Sequence, residues 1–243
     1  MKNNSEKLLL IISIIFIILG VGIFLYPSIS NYLAEKNHID IIRNYDDLIV
    51  KIDEEKINEE KEKAKIYNEN LSGDPVHDPF VIGSGYALPE NYKEVLNVGD
   101  DGVMGYVEIP KISVYLPIYH GTSDEVLEKG VGHIQNTSVP IGGKSTHSVL
   151  TGHTGLPNAE LFTRLDELGI GDIFYIHVLD DVLTYKVFDF FLVNLYIIYP
   201  KFLHFHFVIF FPQIPLYLFQ PLVHIQNCLY VESKTMLYQL SWI

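Results

Sequence analysis

The sequence predicts a mainly β domain, a small barrel or sandwich, behind an N-terminal transmembrane helix and a helical stalk. Three observations predict it. Residues 8–26 read LLLIISIIFIILGVGIFLY, 19 residues without a charge. Residues 31–71 are rich in Glu, Lys, Ile and Asn, with apolar positions such as Ile39, Ile42, Leu48 and Ile52 at roughly helical spacing. From about Tyr92 onward, short apolar runs alternate with turn signals.

The apolar run is long enough to cross roughly 30 Å of hydrocarbon as a helix. Lys2 and Lys7 precede it and the chain after it turns acidic. Lysines on that side keep the N-terminus in the cytoplasm and put the remainder outside. A cleaved signal peptide is the alternative. The run exceeds the about 7–15 apolar residues of such peptides, and Tyr26-Pro27-Ser28 is a poor cleavage site. Residues 1–30 therefore read as a cytoplasmic end and an uncleaved anchor. Residues 31–72 read as a membrane-proximal stalk with a solvated charged face. A partner-binding coiled coil is the alternative, but heptads are not sustained. Gly73, Asp74, Pro75, Asp78 and Pro79 end the helix and open a loop over residues 73–91.

Residues 92–187 carry the β texture. Residues 104–109 (MGYVEI) and 114–119 (VYLPIY) read as strands joined by Pro110, Lys111, Ile112 and Ser113. Residues 123–129 read as a short helix capped by Ser123. Residues 147–152 form another strand, and residues 158–168 a helix burying Leu161, Leu165 and Leu168. Residues 174–178 and 183–187 form a hairpin across residues 179–182.

Composition narrows the function classes. With 17 Lys+Arg against 30 Asp+Glu, binding to nucleic acid through its phosphates is not expected. A single cysteine excludes a disulfide framework and any Cys-rich zinc site. The chemistry-bearing stretch is Thr151-Gly152-His153-Thr154-Gly155 at a strand end. Glycines on both sides let the backbone turn sharply and leave the imidazole at the rim.

Around it, the sequence resembles the sortases, the cell-wall transpeptidases of Gram-positive bacteria. The matching pieces begin with Gly105-Tyr106-Val107-Glu108-Ile109-Pro110 and Leu116-Pro117-Ile118-Tyr119-His120-Gly121. Gly130-Val131-Gly132-His133 and Thr137-Ser138-Val139-Pro140-Ile141-Gly142-Gly143 follow. The longest is Leu150-Thr151-Gly152-His153-Thr154-Gly155-Leu156-Pro157, continued by Ala159-Glu160-Leu161-Phe162 and Leu165. Order and spacing resemble class C, the pilin-polymerising sortases, over about residues 1–187. Asp78-Pro79-Phe80 looks like the lid motif of that class.

The resemblance implies an extracellular sortase-type β-barrel that joins surface proteins and needs no redox or organic cofactor; calcium dependence occurs in some members, but this sequence shows no defined metal site. It implies a cysteine that attacks the Thr–Gly bond of an LPxTG-like sorting signal, and a pilin lysine that resolves the thioacyl enzyme. His153 is by resemblance the imidazole that stabilises the thiolate and passes a proton to the leaving amine. Asp78 and Phe80 would cover the site until displaced. An arginine would orient the substrate and steady the oxyanion.

The pattern stops after residue 187. Residues 1–187 hold 28 of the 30 acidic residues; residues 188–243 hold four charges in all and nine of the 14 Phe. The family's TLxTC-like motif, with an arginine on the next strand, is absent. The sole cysteine, Cys228, lies in Ile225-Gln226-Asn227-Cys228-Leu229-Tyr230, without the expected Thr residues. Cys228 is a nucleophile candidate only by being the single thiol. The arginines, Arg43 and Arg164, both precede it, and neither carries over. The tail reads as a second membrane segment, as divergent barrel strands, or as an out-of-frame translation. Pro200, Pro212, Pro215 and Pro221 oppose a simple membrane helix, and poor alternation opposes strands. The break in composition favours the out-of-frame reading. His204 and His206, with no carboxylate or cysteine nearby, make no metal site.

The expectation is thus a membrane-anchored class C sortase with an incomplete barrel, acting in the family on pilins or surface proteins but itself inactive. Two alternatives stand beside it: a non-catalytic binding module for sorting signals, and a two-pass membrane protein.

Overall fold

The computed structural model describes residues 2–71, 91–144 and 146–188, together with the strand backbones 191–193, 206–208 and 228–233. Anchor and stalk begin as one helix, α1 (Lys2–Lys51), which runs through Pro27 without stopping. It contains the one described helix long and apolar enough to cross a membrane, and none of that apolar window is buried. A second helix, α2 (Glu54–Asn70), starts where the Asp53 carboxylate accepts the Lys56 N–H at 2.8 Å. That bond satisfies one of the donors a helix N-terminus leaves open.

Residues 31–70 are helical as expected apart from residues 52 and 53, and their apolar stripe is packed on the sheet. Ile42, Tyr45 and Ile49 of α1 and Ile57, Ala64 and Tyr67 of α2 are buried in the same core as the strands. Polar contacts fix the docking. Tyr45 Oη donates to the Met104 carbonyl and accepts the Leu179 N–H. The Asn68 amide donates to the Val139 carbonyl at 3.1 Å and accepts its N–H at 2.7 Å. Lys61 meets Asp180 and Asp181, each at 2.6 Å. The helical spacing of the apolar residues was legible; that the stripe faces the domain needed the sheet.

The remainder is mainly β. β1 (Val103–Ile109) and β2 (Val114–His120) pair antiparallel across a 3-10 turn (Pro110–Ile112) closed by Ser113 in the left-handed region. β2 runs parallel to β3 (Val131–His133), which requires a crossover; α3 (Asp124–Leu127) lies in it. Ser123 is its N-cap by position but makes no side-chain capping bond. β4 (Thr146–Thr151) returns antiparallel to β3. β5 (Ile173–Val178) and β6 (Asp181–Lys186) form the expected hairpin, its turn shortened to Leu179 and Asp180.

Residues 158–168 are not a helix. Leu161, Leu165 and Leu168 are buried as expected, but the backbone makes turns and a 3-10 helix over Leu165–Glu167. The reason is local. The Phe162 N–H, which a helix would direct to residue 158, bonds the His153 carbonyl instead, and Leu161 takes a φ of 37°.

Three tail strands complete the sheet: β7 (Phe191–Val193), β8 (His206–Val208) and β9 (Cys228–Ser233). The order is β6-β5-β1-β2-β3-β4-β9-β8-β7, a half-barrel with β6 and β7 at its edges. β9 runs antiparallel to β4.

Candidate active site

His153 follows the C-terminal end of β4, two residues beyond the fully buried Thr151. β4 is locked from below by the segment after β3. The Ile134 N–H bonds the Val149 carbonyl, the Ser138 N–H bonds the His147 carbonyl, and the Val149 N–H donates to Thr137 Oγ1. The strand therefore cannot slide, and its end holds a fixed height.

The loop that carries His153 is stapled at three points. A Cβ on Gly152 would lie 2.8 Å from the Phe162 ring, so only glycine lets that ring close on the backbone. Phe162, fully buried, donates its N–H to the His153 carbonyl at 3.1 Å. Gly155, with φ +70°, donates its N–H to Thr163 Oγ1 at 2.9 Å. The result is a half-buried imidazole on a short rigid loop, a suitable mount for a proton-transfer group. Phe162 appears in the motif pattern, but nothing in the sequence signals that its backbone holds the histidine.

Two other histidines of the domain, His133 and His147, are set apart by burial. His133 is fully buried; its Nδ1 lies 2.9 Å from Tyr92 Oη and its Nε2 2.9 Å from the Ser138 carbonyl. Burial pushes its pKa down to about 4, and that of His147 down to about 3. Both are neutral at physiological pH.

The remaining candidates divide. Cys228 opens β9, and its backbone stands in register with Thr151, two residues before His153. The resemblance implies a strand that ends in the cysteine; here the strand begins with it. Asp78, Pro79 and Phe80 lie outside the described residues. Arg43 is exposed on α1 and pairs with Asp40. Arg164 follows the His153 loop, but its guanidinium grips Glu167 at 2.6 and 2.8 Å and reaches the Ile112 carbonyl at 3.4 Å. Neither arginine is directed to the histidine. Among the described residues no group of three or more His, Cys, Asp or Glu forms a metal centre. His206 opens β8, and His204 lies outside the described residues.

A Sortase domain family model matches residues 107–201. Sortase D of Bacillus subtilis is 43% identical over 68 residues, which is 28% of this chain and 31% of that protein. The crystal structure of sortase C from Streptococcus pneumoniae superposes with a TM-score of 0.56 at 39% identity, covering 64% of this chain and 76% of that one. Sortase C-1 of Actinomyces oris gives a TM-score of 0.52 at 44% identity, covering 58% and 77%. The chain belongs to the sortase family. The solved relatives named above are sortase C enzymes, and the half-barrel, with His153 just past the end of β4, shares their fold.

Proposed function

We propose that this sortase is a class C transpeptidase scaffold whose C-terminal quarter does not supply the family's working cysteine and arginine. The stapled His153 loop carries the reading. In the family reaction a thiolate attacks the Thr carbonyl of an LPxTG-like signal and the Thr–Gly C–N bond breaks. The imidazolium gives its proton to the departing glycine amine. A lysine amine of a pilin or surface protein then attacks the thioester, the C–S bond breaks, and the imidazole takes up the amine proton. His153 is rigid enough for both transfers. Asp78, Pro79 and Phe80 are assigned to the lid. The anchor in α1 holds the domain on the outer face of a Gram-positive cell membrane.

Inactivity of this chain is inferred from the surroundings of Cys228. No Thr precedes it in a TLxTC-like pattern. The register of Cys228 with Thr151 favours a second reading, in which Cys228 is itself the nucleophile. Intact-mass analysis of the full chain, incubated in membranes with an LPxTG-like peptide, separates the two. The first reading expects no acyl adduct. An adduct that disappears in Cys228→Ala would establish the second.

A further inference from the structure

Strand directions put one end of the sheet at the anchor. Near the start of β1, Tyr45 of α1 donates to the Met104 carbonyl. Past the end of β1, Ile112 and Ser113 line a cavity together with Asn31 and Ala34 of α1. β1 therefore runs antiparallel to α1, toward the stretch of that helix nearest the apolar run. Residues 8–34 carry no charge. Within the unbroken α1 these 27 residues rise about 40 Å, the thickness of a hydrocarbon core plus both headgroup layers. The end of β1 thus stands at the headgroup layer. β5 and β6 bring their ends to the same level. Lys111 meets Asp172 at 2.6 Å, Ile173 pairs with Lys186, and Val187 exchanges backbone hydrogen bonds with Gly171 and Asp172.

Exposed apolar side chains collect at that end. Among the described residues of 91–188, four large hydrophobic side chains are exposed: Ile170 at 70%, Val182 at 58%, Ile173 at 46% and Phe188 at 39%. Three of the four surround the turn over residues 169–172, in which the Asp172 N–H bonds the Gly169 carbonyl. Val182 lies at the opposite end of the β5–β6 hairpin. Ile29, Tyr32 and Leu33 of α1 are exposed as well, and tyrosine favours the membrane–water boundary. Single exposed apolar residues need no partner, but a cluster beside a membrane span marks a contact surface. The cations there are matched, Lys111 by Asp172 and Arg164 by Glu167, so no basic cluster selects anionic headgroups.

We propose that Ile170, Ile173 and Phe188 dock the domain end-on against the bilayer, with Ile170 at the boundary between headgroups and acyl chains. The assignment rests on reading α1 as membrane-spanning. β2 runs against β1, β3 along β2 and β4 against β3, so β4 also runs toward the anchor and the His153 loop shares this end. Docking therefore fixes the height of the histidine above the bilayer.

The test uses the full chain with Cys228→Ser in phosphatidylcholine nanodiscs. A nitroxide is attached in turn through Ile17→Cys, Ile170→Cys and Val182→Cys. Its collisions with lipid-soluble oxygen and with a water-soluble nickel chelate are then read by electron paramagnetic resonance. The label at position 17 should meet oxygen only. Burying one isoleucine favours the docked orientation roughly tenfold, so nickel collisions at position 170 should be about tenfold fewer than at 182. With the label at Phe188→Cys, adding Ile170→Asp should raise nickel collisions to the level at 182. Lipid contact at 17 with free nickel access at both 170 and 182 overturns the docking alone. Nickel access at 17 overturns the membrane reading and the docking with it. Equal protection of 170 and 182 overturns the end-on orientation. Protection of 170 only when phosphatidylglycerol is added overturns apolar insertion in favour of charge.

Discussion

At the scale of single residues, the site is defined by what surrounds His153. Gly152→Ala would drive a methyl group into the Phe162 ring. The ring is fully buried and cannot step aside, so overpacking should cost about 1–3 kcal/mol. A lower Tm with a displaced His153 resonance in NMR would bear this out; an unchanged melt would not. His133 sets an acid limit. Its folded-state pKa of about 4 lies below its ordinary value of 6.5. The unfolded chain therefore takes up a proton that the folded chain refuses. Stability is full above pH 6.5 and is lost as pH falls toward 4, by about 3 kcal/mol from this residue. Melts between pH 7 and 4 should show the fall, to which His147 adds, and His133→Gln should make it shallower while lowering the plateau. His153 stands out in the sequence because glycines flank it in a family-like pattern, and its catalytic role is the proposal made above. The hydrogen bond from Phe162 does not stand out, because backbone bonds between loops leave no mark on residue type.

Among elements, the helices packed on the sheet are the main departure from the sequence reading. Hydrophobic spacing gives the helices, and short apolar runs bounded by turn signals give β1, β2, β4 and the β5–β6 hairpin, because both are short-range patterns. Whether a helical stripe faces water, another helix or a sheet depends on contacts distant in sequence. Asn68 meets Val139, and Tyr45 meets Leu179. Residues 158–168 failed as a helix for the same reason, since a loop competed for the Phe162 N–H. Asn68→Ala would leave the buried N–H and carbonyl of Val139 without their partner. The loss should be about 2–3 kcal/mol and should loosen α2 specifically. Hydrogen exchange of residues 54–70 should accelerate more than that of β1 and β2. Uniform acceleration would mean that α2 does not dock as an independent unit.

For the whole molecule, the question is how the half-barrel ends. β6 is an edge strand with mostly exposed side chains, and β7 is the other edge. β4, which leads into the histidine loop, has the tail strand β9 as its neighbour. A sheet with two open edges invites pairing with other chains. A truncation beginning at Asn31 should therefore aggregate or melt without cooperativity, and a sharp reversible transition would count against that. The composition break after residue 187 was legible as arithmetic, four charges in the last 56 residues. Its origin is a property of the gene. The most direct measurement is to resequence the gene from the codon for Asp180 onward and translate all three frames. The account predicts that another frame encodes a TLxTC-like cysteine followed by an arginine, the missing partners of His153. If no frame does, the tail is native, and a sortase scaffold working without those partners, or with Cys228, would contradict the account.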